Sequence, residues 1–96
     1  MDQKINLLHP AGKKAIRMDM NKYTVMEKSI LTALKASEEL THSELLKKVT
    51  ADFKKNNTKF EGSVEWHMEW VKLDLEAKKK IRRSTENTPV RFAIIK

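Results

Sequence analysis

His9, His42 and His67 are the only imidazoles in this chain, and cysteine is absent. A helical metal site needs two ligands at i, i+4 on one face, and His67-Met68-Glu69 lacks the second histidine. The three histidines fall on different expected elements, so each reads as a structural or surface residue, and no metal site is expected. Ser63 follows Gly62 without the Gly-x-Ser-x-Gly frame of a nucleophile elbow, and its better role is to cap a helix. With only Gly12 and Gly62 there is no glycine-rich phosphate loop. Glu38-Glu39 fall in a polar turn, where paired carboxylates stay solvated. No catalytic residue and no cofactor emerge, and the expectation is a protein that is not an enzyme.

Two other groupings bear on function. Asp74 and Lys78 stand at i, i+4, a spacing that forms an ion pair on a helix. The structural reading has that pair fixing the helix against the wing, and the functional one makes Asp74 part of a recognition surface. Trp66, Trp70 and Leu73 form an apolar row displaced by more than a third of a turn from a second row, Val64, Met68, Val71 and Leu75. One stripe suffices to face a core. The Trp row is therefore either covered by another part of the chain or is an interface with a protein partner or a second copy.

These residues need elements to hold them. Ninety-six residues and a hydrophobic content of 40% fit one small domain. No apolar run approaches a membrane span or a secretory signal, and the missing cysteines fit a cytoplasmic setting. Ile5-Asn6-Leu7-Leu8 reads as a short strand ended by the turn His9-Pro10-Ala11-Gly12, residues 13–18 read as extended, and Asp19 is placed to cap a helix. Periodicity predicts that helix from Met20 to about Ser37, with Tyr23, Met26, Ile30, Ala33, Leu34 and Ser37 on one face. Thr41-His42-Ser43-Glu44 is a capping box opening a second helix that carries Leu45, Leu46, Val49 and Phe53; residues 54–59 read as a polar loop. A third helix is predicted over residues 63–79, its polar face carrying Glu65, Glu69, Lys72 and Glu76. After Lys80 the period changes to two, and residues 81–85 and 90–95 flank a polar turn as a hairpin, with Phe92 facing the core. The expected class is α+β and winged helix-turn-helix-like. Residues 1–18 would be an extended arm and 19–96 the winged-helix-like domain, helices two and three forming the helix-turn-helix pair.

Charge separates the parts of that fold. The chain carries a net +7 with a pI near 9.7, which suits a polyanion binder. The third helix runs the other way: Glu61, Glu65, Glu69, Asp74 and Glu76 stand against Lys72, an obstacle to insertion among phosphates. The basic surplus lies later, at Lys78, Lys79, Lys80, Arg82, Arg83, Arg91 and Lys96 against Glu86, with another cluster at Lys47, Lys48, Lys54, Lys55 and Lys59. Lys78, Lys79, Lys80, Arg82, Arg83 and Arg91 are thus the candidate nucleic-acid contacts; the competing reading is a charged edge that blocks strand aggregation.

The segment from Glu61 to Lys78, above all Trp66-His67-Met68-Glu69-Trp70-Val71-Lys72-Leu73-Asp74-Leu75-Glu76-Ala77, resembles a family of small uncharacterised bacterial winged-helix-like proteins, a domain of unknown function. His9-Pro10-Ala11-Gly12 and Thr41-His42-Ser43-Glu44-Leu45 extend the resemblance over most of the chain. It implies the fold and brings no activity, substrate or site residue. The resulting expectation is a non-enzymatic winged-helix module, regulatory in character, that contacts DNA through its basic wing. The alternative is a protein-interaction module using the Trp row and the acidic face of the third helix.

Overall fold

A computed structural model describes residues 4–9, 11–12, 16–58, 60, 62–84 and 89–95. Each helix begins where a polar side chain can satisfy amides that have no intrahelical partner. The Asp19 carboxylate accepts from the Lys22 N–H and starts α1 (Met20–Ser37), which buries Tyr23, Met26, Ile30 and Leu34. Glu38 then takes a left-handed backbone (φ 50°) and breaks the helix. The capping box forms in full at α2 (His42–Lys55): Glu44 N–H donates to Thr41 Oγ1 at 3.2 Å, and Thr41 N–H donates to Glu44 Oε1 at 2.9 Å. Those bonds hold the Glu44 carboxyl below its usual range. α2 runs through Lys54 and Lys55, which periodicity places in the following loop, because Asn56 rather than Lys54 supplies the cap. Ser63 caps α3 (Val64–Ala77), whose Met68, Val71 and Leu75 are buried. α3 stops two residues before the expected Lys79, itself left-handed (φ 60°), so that the Lys80 N–H returns to the Leu75 carbonyl at 2.9 Å.

That turn aims the chain into β4 (Ile81–Ser84), which pairs antiparallel with β5 (Arg91–Ile94), Ile81 opposite Ile94 and Ser84 opposite Arg91. Residues 85–88, which include most of the polar turn expected there, lie outside the described residues. A further strand that periodicity does not reveal, β3 (Leu40–Thr41), joins α1 to α2 and pairs with β5 through Leu40 and Phe92. The order is β3-β5-β4.

The N-terminal segment forms a second sheet, β1 (Lys4–Asn6) against β2 (Arg17–Asp19), with Ile5 opposite Met18. Of the extended segment expected at 13–18, residues 13–15 lie outside the described residues, as does Pro10 of the expected turn. Gly12, at φ 73°, closes the described part of that turn, its N–H reaching the His9 carbonyl at 2.9 Å. The architecture is α+β: three helices and two small antiparallel sheets around one core. α1 packs on both α2 and α3, and Leu7, Met18, Leu40, Ile81 and Phe92 add the arm and the three-stranded sheet to that core. No helix among the described residues is long and apolar enough to cross a membrane.

Candidate functional site

α3 carries Asp74, the Trp row and Lys72, and its sides do different work. On the side next to the Trp row, Asp74 is fully buried. One carboxylate oxygen accepts the Leu8 backbone N–H at 2.8 Å; the other accepts the Tyr23 hydroxyl and pairs with Lys78 Nζ at 2.9 Å. The expected Asp74–Lys78 pair therefore exists, but it fixes α3 to the arm and to α1 rather than against the expected wing. Burial, and next the Asp74 carboxylate, push the Tyr23 hydroxyl well above the tyrosine range, so it remains a protonated donor. With both Asp74 oxygens engaged by this chain and the carboxylate fully buried, the group acts as a clamp.

The cations after α3 meet acids of their own chain. Lys80 pairs with Glu27 at 3.4 Å and Arg82 with Glu39 at 3.2 Å, while Arg83 reaches Glu76 Oε1 through Nε at 3.2 Å and Nη2 at 3.1 Å. With Lys78 on Asp74, four of the six candidate nucleic-acid residues have a carboxylate partner. Lys79 and Arg91 have none within ion-pair distance among the described residues, and the same holds for Lys47, Lys48, Lys54 and Lys55 on α2. The structure thus gathers Lys78, Lys80, Arg82 and Arg83 near α1 and α3 as paired charges rather than as an open cationic strip. Lys59, Glu61, Glu86 and Lys96, counted in the charge reading, lie outside the described residues.

The Trp row divides. Trp70 is half-buried against the core and Leu73 is half-buried, whereas Trp66 is 47% exposed. The two indoles stand 6.3 Å apart at 60°. The arm reaches α3 one turn beyond Trp70, at Asp74, and leaves Trp66 open. Beside it, Glu65 and Glu69 are well exposed, and His42 at the start of α2 approaches both, Nε2 to Glu65 at 3.0 Å and Nδ1 to Glu69 at 3.4 Å. Glu76, expected on the same open face, is largely covered by Arg83.

Lys72 overturns its expected place on that polar face. It is 2% exposed, because the start of α2 and β5 fold over it. Its Nζ lies 2.8 Å from His42 Nδ1, 3.2 Å from Glu69 Oε2 and 4.1 Å from the centre of the Phe92 ring. A neutral His42 with its proton on Nε2 satisfies both neighbours, donating to Glu65 and accepting from Lys72. Burial lowers the Lys72 pKa, with Glu69 opposing the shift and Arg83 adding to it. Lys72 lines a cleft of about 350 Å³ between α2, α3 and the β4–β5 pair, with Thr41, His42, Glu69, Arg83 and Phe92 among its walls. The one sequence signal for this site was a lone lysine among acids on α3, beside a core row.

His9 accepts the Ala11 N–H and His67 contacts the Ser63 carbonyl, so the three imidazoles remain on separate elements. No group of three or more metal-ligating side chains stands among the described residues.

A family profile matches residues 4–92. The chain belongs to DUF6958, a family of unknown function. The DUF6958 match runs from the first residue of β1 to Phe92 in β5, so it takes in the Asp74 clamp, the exposed Trp66 and the Lys72 cleft. No curated protein and no solved structure matches the chain.

Proposed function

We propose that this DUF6958 chain is a non-enzymatic winged-helix module that docks a protein segment on α3. The succession helix, strand, helix, helix, hairpin, with sheet order β3-β5-β4, supports the winged-helix reading, α2 and α3 being the helix-turn-helix pair. In a DNA-reading member of that architecture the third helix would enter the major groove. Here the observation that carries the docking reading is Trp66, 47% exposed, with the carboxylates of Glu65 and Glu69, each held on one side by His42 yet still reaching solvent, beside it. An aromatic ring next to paired acids suits a segment presenting apolar side chains beside Lys or Arg, and opposes phosphate.

A second reading, binding of nucleic acid, draws on Lys47, Lys48, Lys54 and Lys55 of α2 together with Lys79 and Arg91, the cations without an ion-pair partner among the described residues. Tryptophan fluorescence separates the two. Titration with a cationic amphipathic peptide should shift indole emission to the blue, and Trp66→Ala or the pair Glu65→Gln, Glu69→Gln should abolish the response. Salt-sensitive binding of duplex DNA with no response to the peptide would replace docking by the second reading.

A further inference from the structure

We propose that the cleft between α2, α3 and the wing is a ligand site in which Lys72 condenses reversibly with the carbonyl group of a small 2-oxo acid or carboxylate-bearing aldehyde. The cleft, at about 350 Å³, is large enough for a molecule of a few carbons. Phe92, Val90 and Pro89 supply an apolar side, and Arg83 supplies a cation. Nε and Nη2 of Arg83 are committed to Glu76, whereas the N–H bonds of Nη1 take no acceptor among the described residues and can receive a carboxylate. The amine is the unusual element. It is almost wholly removed from solvent yet lines the cleft, which distinguishes it from the exposed lysines of α2 and the α3–β4 turn.

Its surroundings provide for each proton. At rest the ammonium lies over the Phe92 ring, and its N–H bonds point to His42 Nδ1 and Glu69 Oε2. One acceptor takes the first proton, the freed lone pair of Nζ attacks the carbonyl carbon, the C=O π electrons move to oxygen, and that acceptor returns its proton to the oxygen to give a carbinolamine. The other acceptor takes one of the two protons left on nitrogen and passes it to the hydroxyl, which leaves as water while C=N forms. Ammonium and carbonyl thus give protonated imine and water, and no oxidant or reductant takes part. Burial eases the initial deprotonation, each unit of lowered pKa raising the free-amine fraction about tenfold near neutral pH. Glu69 borders both this cleft and the Trp66 face, so the two readings are separated by their readouts, adduct position here and indole emission there.

The test is reductive trapping on the full chain. Glyoxylate with cyanoborohydride at low dose, followed by peptide mapping, should place the reduced adduct on Lys72 well ahead of exposed lysines such as Lys47 and Lys54. Arg83→Gln should reduce trapping of glyoxylate several-fold and leave trapping of propionaldehyde, which lacks a carboxylate, unchanged. Because the decisive measurement is made on the unaltered chain, it does not depend on Lys72→Arg remaining folded. Adducts spread over the surface lysines with Lys72 spared would overturn the proposal, as would equal loss of both probes in Arg83→Gln.

Discussion

The backbone N–H of Leu8 donates to Asp74 Oδ1 at 2.8 Å, across 66 positions of sequence. A single buried carboxylate therefore holds the arm, α1 and α3 together, since its other oxygen engages Tyr23 and Lys78. Asp74→Ala would strip a donor-rich pocket of its only shared acceptor. Removing one member of a buried ion pair typically costs about 3–5 kcal/mol, and the partial exposure of Lys78 places this case near the lower end. Urea denaturation should show that loss, and hydrogen exchange should show the Leu8 amide opening before the amides of α2. Unchanged protection at Leu8 would mean that the arm is held by Leu7 and Met18 packing alone.

Tyr23 is the only tyrosine in the chain, so its ionisation can be followed without interference. Burial, the Asp74 carboxylate and Glu27 all raise its folded pKa, and Lys78 Nζ, 3.1 Å from the hydroxyl, is the one cation facing it among the described residues. The unfolded chain releases that proton at the ordinary value near 10. Above that pH the unfolded state binds fewer protons than the folded one, so this contribution to stability is intact below about pH 10 and declines as pH rises beyond it. Phenolate absorbance near 295 nm should appear together with loss of helical circular dichroism, and Tyr23→Phe should flatten the alkaline limb. Phenolate forming in the folded protein with an ordinary midpoint would contradict the clamp.

Local interactions account for what the sequence revealed. Asp19, Thr41 with Glu44, and Ser63 act within one turn of themselves, and the rows Tyr23–Met26–Ile30 and Met68–Val71–Leu75 repeat at the helical period, so starts and buried faces were legible. Asp74 and Lys78 were legible for the same reason, but Leu8 and Tyr23 come from distant parts of the chain. β3 is two residues long and exists because β5 pairs with it, a relation that leaves no periodic trace. The charges of the wing could be counted, while their neutralisation by Glu27, Glu39 and Glu76 depends on three separate elements meeting. Lys72 was missed for the most physical reason: a helical wheel places it beside acids, and only the fold puts His42 and Phe92 over it.

The pairing of Lys80, Arg82 and Arg83 with acids makes a distinct forecast for nucleic acid. If only Lys79 and Arg91 meet phosphates, log K against log[salt] should fall with a slope of roughly −1.8, whereas neutralisation of four phosphates would give roughly −3.6. Arg82→Ala and Arg83→Ala should leave the slope unchanged, because the paired arginines make no phosphate contact, and should lower affinity modestly, because each leaves Glu39 or Glu76 uncompensated. A steeper slope that Lys47→Ala with Lys48→Ala flattens would add the α2 lysines to the contact set. A steep slope that collapses on loss of Arg82 and Arg83 would show that these arginines exchange Glu39 and Glu76 for phosphate.

The two tryptophans should behave as different kinds of residue despite standing one turn apart. Trp66 keeps nearly half its surface in water, so Trp66→Ala should change folding stability by no more than about 0.5 kcal/mol. Trp70 packs against the core, and Trp70→Ala should cost about 2–3 kcal/mol by returning apolar area to water and leaving a void. Each single-tryptophan variant isolates the other ring, so emission should be red-shifted for Trp66 and bluer for Trp70. The same face bears on assembly. In a two-fold dimer seamed at Trp66, Glu65 and Glu69 of one copy would approach the same carboxylates of the other, a like-charge contact that opposes self-association. Light scattering should accordingly give a monomer for the parent and for Trp66→Glu alike. A dimeric parent that Trp66→Glu converts to a folded monomer would make a second copy of the chain the occupant of this face.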